Sequence, residues 1–386
     1  MKKAILIALA LLGATAAATA ADHLQQTTEI LNRIKSECAP DKRQAVYTLE
    51  AHTGRDGRIV VAGATSGSAV REYVVREMGA AGIDFVDSIR VLPSDKWALV
   101  RIPAASLRTG GRHSAEMATQ AVLGTPVRVL EDNAEFWRVQ TPDGYIAYVP
   151  SSSLAAKTPA QMAAWRSADR YVVTDPYQIR AYRSADANGL RDVVTDLVNG
   201  CIVEADATAT EANGRIAVVL PDGRKGWVAK SSVTPISEWA AQDFDPEKIL
   251  DIAYSMEGTP YLWGGTSTKA LDCSGLAKVS YLSNGIILMR DASQQALTGT
   301  RIEAADWRDC QPGDLLFFGT RSGRVTHVAI YDHDGNYVHS SGRVKRNSVD
   351  PASPDYLTTP FLHAVRIAGN EGTPGITLAR NHPWYF

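Results

Sequence analysis

Residues 272–285 read DCSGLAKVSYLSNG, and the reading of the whole chain turns on that stretch. Leu276, Val279 and Leu282 recur at helical spacing, Asp272 is a good N-cap, and Asn284-Gly285 is a good C-terminal stop. The pattern predicts a helix with Cys273 in its first turn. A helix N-terminus offers unpaired N–H groups and positive potential, which lower a thiol pKa and can hold an oxyanion. A cysteine in a half-apolar context is by itself more often an inert buried residue. What lies downstream decides between the two.

Residues 325–331 (VTHVAIY) are strand-like, 332–336 are polar, and 337–342 (YVHSSG) read as a returning strand, so His327 and His339 sit on two arms of one hairpin. A five-residue loop closed by Tyr331 and Tyr337 puts the two imidazoles on one face as diagonal neighbours, with Cα atoms roughly 7–8 Å apart. A two-residue turn at Asp334-Gly335 shifts the register by one and separates them. Val328 and Ile330 supply the apolar face, leaving His327 on the other with Ala329 and Tyr331. A thiol on a helix, an imidazole on a strand and a third polar group to orient it form the nucleophile, base and orienter pattern of thiol hydrolases.

TPYLWGG at 259–265, DCSG at 272–275, QPGDLLFF at 311–318, HVAIY at 327–331 and HSSG at 339–342 occur in an order that resembles the NlpC-type cysteine peptidases, a papain-like group acting on bacterial walls. The resemblance covers roughly residues 243–369. It implies a papain-like α+β domain with Cys273 as nucleophile, His327 as general base and His339 as the residue orienting it. Tyr261 is then the tyrosine near the oxyanion, acting with the Cys273 amide, and Trp263 a wall of the site.

Arg290-Asp291 and Gln294-Gln295 match the segment after the catalytic helix in the subgroup that removes an L-alanyl-D-glutamyl dipeptide from wall peptides. The resemblance implies that Asp291 meets the free amine of the leading alanine, with Glu116 and Tyr145 supplied by an SH3-like domain. Where the subgroup carries Ser after the Asp, this chain has Ala292, so the carboxylate anchor falls on Ser274, with Asp272 in the same binding set. An ammonium taken partly out of water needs carboxylates around it. Read without the resemblance, Asp291 and Glu116 are ordinary surface acids. The implied reaction is amide hydrolysis through an acyl-enzyme at the γ-carbonyl of D-glutamate. The diamino acid leaves first, and water then releases L-Ala-γ-D-Glu.

Upstream, VQTPDGYIAYVPSSSL at 139–154 and VVLPDGRKGWVAKSSV at 218–233 repeat one module, with Pro142 and Pro221 offset by 221 − 142 = 79. Each Pro-Asp-Gly is a turn between short β-rich runs. Leu107-Arg108, Leu123-Gly124, Phe136-Trp137, the turn and Tyr148-Val149 resemble a bacterial SH3-like domain over about 97–156, with a weaker copy over about 170–236. Each is expected to be a small β-barrel. The fold class expected is thus multidomain: a small N-terminal α+β unit over 22–96, two SH3-like β-barrels, a polar connection at 242–248 and the peptidase domain over 243–386. Within the first unit, helices around Leu24 to Ile34 and 68–78 alternate with strands at 45–49, 59–61 and 83–91.

Met1-Lys2-Lys3, the apolar stretch from Ala4 to Gly13 and Ala18-Thr19-Ala20 read as a secretory signal peptide, residues 1–21. The mature protein is expected to be soluble, free of the membrane, periplasmic or extracellular, and monomeric. With 40 basic and 42 acidic residues the net charge is −2, which gives no basic field for nucleic acid. Four cysteines are too few for a disulfide scaffold. His113, His333, His363 and His382 lack metal spacing and no phosphate-binding glycine loop occurs, so neither metal nor cofactor is implied. The partners expected are peptidoglycan-derived peptides. Two rival readings stay open: a related murein amidase or endopeptidase on intact wall, and a non-catalytic wall-binding protein.

Overall fold

The structure is a computed structural model that describes residues 21–132 and 135–386. The expected signal peptide therefore lies, through residue 20, outside the described residues. The chain divides into two compact units, one ending at Ser94 and one running from Asp95 to Phe386. Among the described residues no helix is long and apolar enough to cross a membrane.

The first unit holds a helix through residues 21–38, the helix Ser68–Ala80 and a three-stranded sheet of Glu50–Thr53, Ile59–Thr65 and Phe85–Val91. The last two strands run parallel, as a strand–helix–strand crossover allows. The strand expected at 45–49 is reduced to a bridge between Tyr47 and Thr65, and the strand itself forms at Glu50–Thr53.

The second unit begins with two seven-stranded sheets. In the first the order is Leu154–Lys157, Trp97–Val100, Pro126–Glu131, Phe136–Gln140, Ile146–Pro150, Ala104–Arg108, Met117–Val122. In the second it is Val233–Pro235, Arg170–Val173, Ile202–Ala205, Arg215–Val219, Lys225–Ala229, Gln178–Tyr182, Val193–Val198. Numbered within each sheet, both run 7-1-4-5-6-2-3, so the sequence repeat is a repeat of topology. Arg215 follows Phe136 by 215 − 136 = 79, the offset of the two turns. Gly144 and Gly223 take φ of 84° and 86°, the left-handed turn conformation glycine adopts at no steric cost.

The remaining residues build a six-stranded sheet in the order Thr300–Glu303, Phe361–Arg366, Leu315–Gly319, Val325–Tyr331, Asn336–Ser341, Arg343–Ser348. Alternation gives it two faces. Leu315, Phe317, Val328, Ile330 and Val338 share a core with Leu276, Ala277 and Val279 of the helix Cys273–Leu282. Leu316, Phe318, Ala329, Tyr331 and Tyr337 form a second core on the opposite face. Fully burying a side chain such as Leu276 contributes about 1.5–3 kcal/mol. The connection expected at 242–248 is cut short by a helix, Pro246–Ser255: Asp245 caps it by accepting from Lys248 N, and Pro246 opens it, the arrangement a first helical position favours.

The first seven-stranded sheet is fastened to this domain near the helix Cys273–Leu282. Gln120 Oε1 accepts from Thr266 N at 2.9 Å and from Ser267 Oγ at 3.0 Å. Lys278 Nζ, on the helix itself, donates to Asp143 Oδ2 of the Pro-Asp-Gly turn at 2.6 Å. His382 Nε2 lies 2.9 Å from the Pro142 carbonyl.

Candidate active site

Cys273 opens the helix Cys273–Leu282, and Asp272 caps it by accepting from Gly275 N at 2.7 Å. Gly264 N donates to Asp272 Oδ2 at 2.9 Å and Leu262 N to the Leu271 carbonyl at 3.0 Å, which pins the Tyr261–Gly264 loop beside the thiol. The approach is close enough to dictate residue type. A Cβ on Gly275 would lie 1.9 Å from the Gly265 carbonyl oxygen, and one on Gly264, where φ is +78°, 2.5 Å from that of Met117.

The backbone amides of Val328 and Ser274 bear on the Cys273 sulfur, so the thiol rests against the peptide joining His327 to Val328. Tyr331 pairs with Tyr337 and Ile330 with Val338, the five-residue-loop register. The imidazoles meet: His327 Nε2 lies 2.7 Å from His339 Nδ1, and their rings stand edge to face with centroids 5.0 Å apart. His339 in turn reaches Asn347, Nε2 to Oδ1, at 2.9 Å. Asn347 had no place in the sequence reading. The Phe318 ring packs 5.9 Å from His327 and the Tyr337 ring 5.1 Å from His339.

Burial governs the charges. It pushes the Cys273 thiol up to about 11, with the Asp272 charge adding to the shift and the Val328 and Ser274 amides opposing it. Burial likewise lowers His327 to about 3 and His339 to about 4, and the Lys345 charge acts on both in the same direction. Burial thus disfavours the charged form of the thiol and of both imidazoles, and for Cys273 it opposes the helix N-terminus. Tyr261 is half-buried, and its phenol is raised by burial and by the neighbouring Cys273 and Asp272 charges. Trp263 is 61% exposed, on the rim.

Asp272 and Ser274 are turned inward. Arg290, 1% exposed, donates Nη2 to Asp272 Oδ2 at 2.6 Å and Nη1 to Ser274 Oγ at 2.8 Å. Burial would lower this guanidinium, but the Asp272 charge raises it on balance. With both oxygens committed to Gly264, Gly275, Ser274 and Arg290, Asp272 holds the loop and the helix start. Asp291 caps the short helix Ala292–Gln295, and Tyr145 Oη of the first seven-stranded sheet lies 3.4 Å from Asp291 Oδ2. Glu116 is exposed and precedes Met117, whose carbonyl faces Gly264. All four cysteines are free thiols.

A buried thiol at a helix start, lying against a strand that carries a linked imidazole pair, defines a site of the cysteine-hydrolase class. The family model described as NlpC/P60 family matches residues 258–366, and that described as Bacterial dipeptidyl-peptidase Sh3 domain matches residues 107–154. Dipeptidyl-peptidase 6 of Lysinibacillus sphaericus is 30% identical over 248 residues, covering 63% of this chain and 88% of that protein. Gamma-D-glutamyl-L-lysine dipeptidyl-peptidase of Bacillus cereus is 28% identical over 282 residues, covering 69% and 80%. The crystal structure of a Bacillus cereus NlpC/P60 family protein superposes with a TM-score of 0.59 at 22% identity, over 70% of this chain and 99% of that one, and so shares the fold. The chain belongs to the NlpC/P60 family of cysteine peptidases and carries a bacterial SH3-like domain.

Proposed function

We propose that this protein hydrolyses the bond between the γ-carbonyl of D-glutamate and an L-diamino acid in peptidoglycan stem peptides whose leading L-alanine has a free amine. The observation that carries the reading is the meeting of Tyr145 with Asp291 across the interface between the SH3-like domain and the peptidase domain. It sets a carboxylate with a phenol beside it at the end of the segment that follows the thiol helix, with Glu116 exposed just before the strand Met117–Val122, whose first carbonyl faces Gly264. An ammonium leaving water needs such anionic partners, whereas an enzyme cutting inside long chains has no use for them. Two relatives matched over most of their length are named dipeptidyl-peptidases.

In this reading the Cys273 sulfur attacks the γ-carbonyl carbon while His327 takes the thiol proton. Nε2 of His327 is engaged by His339, so Nδ1 is the nitrogen that serves as base. The oxyanion receives the Cys273 amide and the Tyr261 phenol. His327 returns the proton to the leaving amine of the diamino acid, the C–N bond breaks, and water, deprotonated by the same nitrogen, cleaves the thioester to free L-Ala-γ-D-Glu. Ser274, beside the Arg290 cation, anchors the D-glutamate carboxylate, and Trp263 walls the site.

The wider organisation follows the same reading: an exported chain with residues 1–21 as signal peptide, an N-terminal unit over 22–96, SH3-like modules over 97–156 and 170–236, and the peptidase over 243–386, acting as a monomer. The second seven-stranded sheet, with the strand order of the first, is read as the second SH3-like module. Comparing turnover of L-Ala-γ-D-Glu-L-Lys with its N-acetylated form tests the specificity. The free amine is expected to be required, and equal turnover of the two sinks the reading in favour of an endopeptidase.

A further inference from the structure

The hydrogen-bonded chain that begins at His327 does not stop at His339. Asn347 Nδ2 donates to the Asp355 carbonyl at 2.9 Å, which turns Asn347 Oδ1 toward His339 Nε2, 2.9 Å away. The segment that supplies Asp355 is itself held down: the same carbonyl accepts from Ser348 N at 3.0 Å, and Leu357 N donates to the Ser348 carbonyl at 3.3 Å.

An amide oxygen can only accept, and a neutral imidazole carries one hydrogen. His339 Nε2 must therefore bear its hydrogen, which leaves Nδ1 as an acceptor. His327 then donates from Nε2 across the 2.7 Å contact, and its Nδ1 is left with a lone pair. His339 is buried and His327 half-buried, and this disfavours the charged form of each, so the alternation is not relieved by a second proton. Lys345, paired across the strands with His339, bears on both rings and disfavours imidazolium at either. Turning the Asn347 amide over would reverse every step and put the His327 hydrogen on Nδ1, where no base would remain for the thiol.

We propose that Asn347 is a positioning residue for the hydrolysis: its amide, clamped by the Asp355 carbonyl, sets both imidazoles in the tautomer that frees His327 Nδ1 for the Cys273 proton. The proposal rests on the reading of Cys273 and His327 as nucleophile and base.

The test uses the full chain, with turnover of L-Ala-γ-D-Glu-L-Lys followed against pH and the histidine rings observed by nitrogen-15 NMR. In the wild type both rings are expected as the Nε2–H tautomer. Asn347→Leu keeps the size but removes the acceptor. It is expected to lower kcat at least about tenfold, below the roughly 10⁴-fold seen where a triad is left in the wrong tautomer, with KM little changed and mixed tautomers in the spectrum. Asn347→Asp keeps an acceptor. It should restore most of kcat above neutrality and move the acid limb of kcat to higher pH, because a carboxylate beside His339 favours its protonated form. Wild-type kcat in Asn347→Leu, or a wild-type His327 already protonated at Nδ1, overturns the proposal. Should the leucine variant fail to fold, the wild-type spectrum and the aspartate pH profile still decide. Turnover surviving Cys273→Ala would remove the nucleophile reading itself; a dead Cys273→Ala beside a fully active Asn347→Leu removes only the role of Asn347.

Discussion

Tyr145 Oη stands 3.4 Å from Asp291 Oδ2 although 146 residues separate them, so the SH3-like domain and the peptidase domain meet at this corner. If that corner receives the substrate amine, its two members contribute unequally. Hydrogen bonds to charged groups are worth about 1.5–3 kcal/mol and neutral ones about 0.5–1.5 kcal/mol. Asp291→Asn is expected to lower kcat/KM for the free-amine tripeptide by about 10- to 100-fold, and Tyr145→Phe by less than about tenfold. Steady-state kinetics with both variants check this, and equal wild-type kcat/KM in both contradicts it.

The Asp143–Lys278 pair joins the same two domains, two residues from Tyr145 along the chain. Burial would raise the Asp143 carboxyl, but the Lys278 ammonium holds it below the usual range. Breaking a buried pair by removing one partner costs about 3–5 kcal/mol, because a charge is left stranded. Lys278→Met should lower stability by that amount and, by loosening the Pro-Asp-Gly turn, impair the preference for a free amine. Asp143→Leu combined with Lys278→Met should recover much of the stability. Denaturant unfolding of the single and double variants reads this, and a double variant no more stable than the single one argues against the pair.

His327 and His339 make stability depend on pH in a defined direction. Their folded values, about 3 and about 4, lie below the ordinary 6.5, so unfolding takes up protons. The stability they contribute is complete above pH 6.5 and is lost as pH falls toward those folded values, at up to about 1.4 kcal/mol per pH unit for each ring. Between pH 6 and 4.5 the wild type should lose stability more steeply than a His327→Gln, His339→Gln double variant, by about two protons. Parallel stability curves would show that these rings are not held neutral.

Gly275 sets helix propensity against packing. In a helix interior alanine is about 1 kcal/mol better than glycine, yet a Cβ here would meet the Gly265 carbonyl at 1.9 Å. Gly275→Ala is expected to be destabilised and to lose activity as the Tyr261–Gly264 loop is pushed from the thiol. A thermal melt above that of the wild type with full turnover contradicts the contact.

Much of this site was legible because its residues punctuate the chain. Asp272 and Asn284-Gly285 bound the helix, and the alternation around Val328 and Ile330 fixes the face of His327. The hairpin left two registers, which tertiary packing resolved in favour of Tyr331 opposite Tyr337. Asn347 was reachable in principle: Gly342, with φ +70°, turns the chain so that His339 faces Lys345, and a residue two further on is a diagonal neighbour of His339. Lys278 and Arg290 gave no such signal. A lysine on an amphipathic helix reads as solvated, and the carboxylate that draws each of them inward lies 135 and 18 residues away. The start of the helix Pro246–Ser255 was signalled by Asp245-Pro246 but read as a linker because of its polar composition.

The proposed hydrolysis depends on the Cys273 sulfur forming the acyl bond. Mass spectrometry of L-Ala-γ-D-Glu-L-Lys incubated with the wild type and with Cys273→Ala tests it most directly. The wild type should release L-Ala-γ-D-Glu and free lysine while the variant, folded by circular dichroism, releases neither; the same two products from the variant at an undiminished rate would contradict it.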